Sequence, residues 1–194
     1  TFAHINSGDL KLNFAAGSGL QGLADRGLKI AKMAMRQLEH RDIDQALLKR
    51  ELPDATLQLE AGQENLLARY LRYKKYGVNS VAMSFTSNAT QGLNGFMRIG
   101  KLQADGLVID TIQATITHGE EGLELAAIVE NRKTENPNPF LATLHGHLLR
   151  AGAAADIAFQ DANGRLGLRL GAQVEMEDGG TRLHLNADTA GVAY

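Results

Sequence analysis

Two histidines one residue apart, His145-Gly-His147, would stand on the same side of an extended strand, the spacing of a two-ligand metal site. A third ligand would have to come from His184 or Asp156, and nothing in the sequence brings either one near. Leu144, Gly146 and Leu148 occupy the alternate positions, so the pair fits more simply on the wet side of a half-apolar strand. Gly17-Ser-Gly19-Leu-Gln-Gly22 has the G-x-G-x-x-G spacing of a dinucleotide fingerprint and lies between a strand and a helix. Its strand, however, carries Lys11 and Asn13, whereas a Rossmann first strand is apolar throughout. No further parallel units follow, so a glycine-rich turn into a helix is the better account. Ser7, Ser18, Ser80, Ser84 and Ser87 have neither a G-x-S-x-G setting nor an acid–base partner. Glu120-Glu121 reads as solvated turn charge. Arg69, Arg72, Lys74 and Lys75 read as the wet face of a helix, with phosphate or headgroup contact as the functional alternative. No enzyme emerges, and no catalytic, cofactor or metal site is expected.

The composition narrows the classes further. The 194 residues carry a formal net charge of −2, with 5% aromatics and neither Trp nor Cys. That balance gives no electrostatic footprint for nucleic acid, and few rings on which bases could stack. Thiol chemistry and disulfides are excluded. No apolar run reaches the roughly 18 residues of a membrane helix. The opening at Thr1 without a signal segment points to a piece of a longer chain.

The elements that would position any site come in two styles. Up to about residue 79, short strands (Asp9–Phe14 and Thr56–Leu59) alternate with helices over about 19–38, 42–51 and 64–76. Asp42 is the expected cap of the second helix, with Gln45 reaching back to it, and Gly77 the stop of the third. From Ser80 the pattern turns to strands, at 80–87, 92–103, 106–118, 122–131, 140–150, 153–161, 164–177 and 180–188. The clearest is Leu166-Gly-Leu168-Arg-Leu170-Gly-Ala172-Gln-Val174-Glu-Met176, apolar at every second position. Asn163-Gly164 and Asp178-Gly179-Gly180 flank it as hairpin turns. Asn136-Pro-Asn-Pro139 is a break between strands. The expected fold is mainly β with an N-terminal helical insertion, in which 80–194 forms an antiparallel meander.

Leu141 to Leu185 carries a further signal. The run Gly152-Ala-Ala-Ala-Asp156-Ile-Ala-Phe159-Gln-Asp161-Ala-Asn-Gly164-Arg-Leu-Gly167-Leu-Arg-Leu-Gly171-Ala-Gln-Val-Glu-Met176 resembles the translocation and assembly module TamB of Bacteroidetes, within the AsmA-like superfamily. Leu52-Pro53-Asp54, Gly62-Gln-Glu-Asn65, Gly92-Leu-Asn-Gly95, Asp110-Thr111-Ile112 and Asn131-Arg-Lys133 fit the same pattern, so the resemblance covers the chain from about Asp42 onward. It implies a periplasmic segment of a long protein anchored in the inner membrane of a Gram-negative cell. In that family a sheet curled into a U, a β-taco, carries a greasy groove. The family is implicated in phospholipid transport between the two membranes and in outer-membrane protein assembly. The implied partners are phospholipid acyl chains, neighbouring segments of the same long chain and the outer-membrane assembly machinery.

Periodicity alone favours a closed β-sandwich built on the same apolar positions. With the resemblance, an open groove takes precedence, lined by Leu123, Leu125, Val129, Leu144, Leu148, Ile157, Phe159, Leu166, Leu168, Leu170, Val174, Met176, Leu183 and Leu185. The stripe of Leu20, Leu23, Ile30, Met33 and Leu38 on the first helix also needs cover. The helices are therefore expected to cap the groove.

Overall fold

The computed structural model describes residues 1–40, 42–104, 107–119, 122–131, 139–149, 152–161, 163–177 and 180–188. Glu120, Glu121, Asp178, Gly179 and positions 132, 133 and 136–138 of the expected turn and break segments lie outside them. The protein is mainly β. Its strands are β1 Phe2–Ser7, β2 Leu10–Ala16, β3 Ala55–Ala61, β4 Gly77–Asn88, β5 Gly92–Ala104, β6 Leu107–His118, β7 Leu123–Asn131, β8 Phe140–Leu149, β9 Gly152–Gln160, β10 Leu166–Glu177 and β11 Gly180–Asp188. Three helices interrupt them: α1 Gly19–Glu39 and α2 Gln45–Arg50 between β2 and β3, and α3 Leu66–Tyr73 between β3 and β4.

All eleven strands form one antiparallel sheet in which spatial order equals chain order. Each strand pairs with the next, and β1 and β11 are the two edges, so the sheet does not close on itself. The two-layer sandwich that periodicity alone favoured does not form. The change of patterning near residue 80 is no break in the sheet, because β3 pairs with β4 from Ala55↔Ser87 to Ala61↔Val81. At roughly 4.8 Å per strand, ten pairings make a ribbon about 48 Å long. β1, absent from the sequence expectation, has only a short alternation (Phe2-Ala-His-Ile-Asn-Ser) and is held by its register on β2.

The helices attach at the ends of strands. α1 leaves the C-terminal end of β2, and Gln45 at the start of α2 reaches the first residue of β7 and the penultimate residue of β8. With 21 residues α1 is about 31 Å long. Lys29 donates to Glu51 at 2.6 Å and so ties α1 to the end of α2, holding the Glu51 carboxyl below the usual carboxylate range. The stripe on α1 is not sealed. Leu23, Ile30 and Met33 are half-buried while Leu20 and Leu38 are exposed, and no residue of α1 is fully buried. α1 packs against β2 and α2, and α2 against β5.

One expected cap is reassigned and one cap not foreseen from the sequence appears. Asp44, not Asp42, caps α2, its carboxylate accepting from Leu47 N at 2.8 Å. Asn65 caps α3, accepting from Ala68 N at 2.8 Å. The Asn65 amide donates in turn to Asp9 at 2.7 Å and to Gly62 O at 3.0 Å, and Asp9 also accepts from Glu64 N. These bonds, Asn65 first, hold the Asp9 carboxyl below its ordinary range. A carboxyl lowered by folding stabilises above its unfolded value and loses that contribution as pH falls through the folded one. The attachment of α3 should therefore hold at pH 5–7 and loosen below about pH 4. Asn65→Ala removes the cap and the bridge together and should cost about 2 kcal/mol in urea unfolding. Hydrogen exchange should rise in α3 before the strands.

Candidate functional site

Directly opposed residues of an antiparallel ladder share a face, so the register assigns every side chain to one side of the ribbon. One row runs Ala3, Phe14, Leu57, Phe85, Gly95, Ile116, Leu125, Gly146, Ala155, Ala172 and Leu185, crossing all eleven strands without a polar residue. A second runs Ile5, Leu12, Leu59, Met83, Met97, Ala114, Ala127, Leu144, Ile157 and Leu170 across ten strands. The other side reads His4, Asn13, Gln58, Ser84, Phe96, Thr115, Ala126, His145, Asp156, Gly171 and Asn186. One face is greasy from edge to edge and the other is mostly wet.

The residues singled out from the sequence, Leu166 excepted, fall on the greasy side. Leu125 faces Ile116, Val129 faces Ile112, and Leu123 faces His118. Leu144 faces Ile157, Leu148 faces Ala153, and Phe159 lies between Ala142 and Leu168. Leu170 faces Ile157, Val174 faces Leu183, Met176 faces Thr181, and Leu185 faces Ala172. Phe140, not singled out, stacks on Phe159 with ring centroids 5.5 Å apart. Leu166 stands apart, because the register shifts between Leu166 and Leu168 and sets it opposite Gln160. Sequence reasoning stopped the surface at Leu123, whereas the register continues it through β6 to β1. The alternation was visible there too, in Thr56-Leu-Gln-Leu-Glu for example, but the intervening helices hid that those strands join the same sheet.

No second sheet lies over this face among the described residues. The molecule exposes 12689 Å², against about 9,000 Å² for a compact monomer of 20.9 kDa. Among the described residues no large side chain is fully buried. The greasy side chains of β3 to β5, such as Leu57, Met83 and Met97, are half-buried, while Leu183 and Leu185 at the far edge remain 57% and 60% exposed.

The other sequence motifs resolve separately. His145 and His147 lie on the wet face, opposite Asp156 and Glu124 respectively. Asp156 is taken by Arg169, whose Nε lies 2.8 Å away, and His184 sits 3.6 Å from Glu175. Among the described residues no three His, Asp or Glu side chains gather as a metal set. Gly17 to Gly22 forms the turn into α1, with Gly17 N donating to Asp54 O and Gly19 at φ 76. No described helix is long and apolar enough to cross a membrane.

The fold and this surface define a class: an open, single-layer antiparallel sheet with one continuous apolar face. Compared with protein-family models, with curated proteins and with solved structures, the chain matches none.

Proposed function

We propose that the chain is a lipid-sheltering segment of a longer envelope protein, and that its apolar face holds phospholipid acyl chains. The observation that carries this reading is the pair of apolar rows spanning the ribbon with no second layer over them. Exposed apolar area of that extent does not persist in water without an occupant. Acyl chains suit it because they demand no hydrogen bonds and no fixed register, and each buried methylene contributes about 0.8 kcal/mol. The greater cover of the greasy side chains in β3 to β5 is what a sheet curling toward that face produces. Gly95 under the Phe85 ring and Gly146 opposite Leu125 leave room for such a curl.

The resemblance to the TamB family adds the cellular setting. There the segment would lie in the periplasm, as part of a bridge implicated in phospholipid transport between the membranes and in outer-membrane protein assembly. The open edges at β1 and β11 suit it, since neighbouring segments of the same chain can add strands to them and lengthen the trough. A non-catalytic protein-contact module is the competing reading. Organic extraction of the mildly purified protein followed by mass spectrometry separates the two. Stoichiometric phospholipid is the expected result. A lipid-free protein that remains folded and monomeric would defeat the proposal.

A further inference from the structure

A second surface stands at the opposite end of the strands from α1 and α2. Between Asn65 and Tyr76 the chain carries Arg69, Arg72, Lys74 and Lys75 and no acidic residue. α3 turns Ala68 and Leu71 toward the sheet, and Ala68 is buried there. Its outward side holds Leu66, Tyr70 and Tyr73, three or four residues apart and 70%, 56% and 80% exposed. Arg69 and Arg72 flank this stripe on one side and Lys74 on the other. Lys74 Nζ lies 5.9 Å from the Tyr70 ring centre and 5.6 Å from that of Tyr73. Arg72, Lys75 and Tyr76 line a shallow cleft where the helix meets β4. Among the described residues none of the four cations is held in an ion pair.

A helix on a wet surface ordinarily turns its apolar residues inward and its polar ones outward. α3 turns Leu71 inward but leaves two tyrosines and two leucines, Leu66 and Leu67, exposed and rimmed by cations. Tyrosine rings settle at the level of lipid headgroups, and cations beside them meet anionic lipid. Lys75 adds a detail. Its φ of 63 is left-handed, a conformation that glycine adopts at less cost, yet the position carries an exposed charge at the rim of the cleft. We infer that α3 is an interfacial contact that lays the end of this sheet on a bilayer bearing anionic headgroups. Leu66, Tyr70 and Tyr73 enter the interfacial layer while the four cations meet the phosphates.

Sedimentation of the full chain with vesicles tests this. Binding is expected with phosphatidylcholine vesicles containing phosphatidylglycerol, should be far weaker with phosphatidylcholine alone, and should fall as salt rises. Each cation near an anionic surface is worth about fivefold in partitioning. Arg69→Gln with Arg72→Gln should therefore lower binding roughly 25-fold. Tyr70→Ser with Tyr73→Ser should also lower it steeply, and neither pair should move Tm because all four side chains are exposed. Lys75→Gly should raise Tm while lowering binding about fivefold, a split that a merely structural helix would not give. The α3 variants should keep their co-purified phospholipid, so this contact and the lipid-sheltering reading fail separately. The inference is overturned if the wild-type chain ignores both vesicles or binds them equally. It is also overturned if Leu28→Ser with Met35→Ser on α1 abolishes binding while the α3 variants keep it. Loss of self-association in the α3 variants, without vesicle binding by the wild type, would assign the surface to a second copy instead.

Discussion

Leu168→Asp and Leu170→Asp should leave the sheet folded and strip it of lipid. Both side chains sit on the greasy face, Leu168 opposite Phe159 and Leu170 opposite Ile157, and Leu168 is 41% exposed. In a sealed core an unpaired carboxylate would cost several kcal/mol and unfold the protein. On an open face water still reaches it, so the expected loss is about 1–2 kcal/mol by urea titration. The occupant fares worse, because a charge in the middle of the trough must be desolvated whenever an acyl chain lies across it. Co-purified phospholipid should fall about tenfold or more, equivalent to losing one or two buried methylenes and their neighbours. Arg169→Asp lies between them on the wet face, where it breaks the contact with Asp156, and should change lipid content little. Should the two leucine variants unfold outright, the face is a core and the sheltering reading fails.

Much of this geometry was legible because a period of two leaves little freedom. Once Leu168, Leu170 and Val174 must share a face, a one-residue slip would send all of them to water. The strands from β4 onward consequently lie within a few residues of where alternation placed them. Where the sequence misled, the deciding partner was remote. Asp42 and Gln45 have the spacing of a capping box, but Asp44 makes the cap and Gln45 turns outward to strands 78 and 103 residues away. Leu166 keeps the parity of its strand on paper, and the irregularity at Gly167 takes it out of line. β1 has too short a pattern to announce itself and depends on β2 for its register. The stripe on α1 was readable as apolar, but not the fact that Leu20 and Leu38 would stay exposed. Single-layer architecture was the hardest to foresee, since alternation reports that one face is greasy and is silent about what covers it.

Gln45→Ala should release α1 and α2 from the sheet while the strands stay paired. The β7–β8 ladder ends at Glu124↔His147, which leaves Leu123 and Leu148 next in line with no direct bond between them. The Gln45 amide fills that gap, its Nε2 donating to Leu148 O at 2.7 Å and its Oε1 accepting from Leu123 N at 3.1 Å. Gly122 permits the approach, because its φ of 130 disfavours any side chain and a Cβ there would collide with the Gln45 amide. Truncation leaves two partly buried backbone groups unpaired, and with them goes the long-range bridge between α2 and β7–β8. A stability loss of about 1–3 kcal/mol is expected. Hydrogen exchange through residues 19–50 should rise toward the rate of a marginal helix, with protection in β5 to β10 nearly unchanged. Gly122→Ala should reproduce the effect by pushing the amide out. The double variant should lose much less than the two single losses combined, since both break one bridge. Gln45→Glu discriminates further: it keeps an acceptor for Leu123 N but offers no donor to Leu148 O at neutral pH, so it should fall between wild type and alanine. Full additivity of Gln45→Ala and Gly122→Ala, or unchanged exchange in α1, would show that the helices are held by something other than this amide.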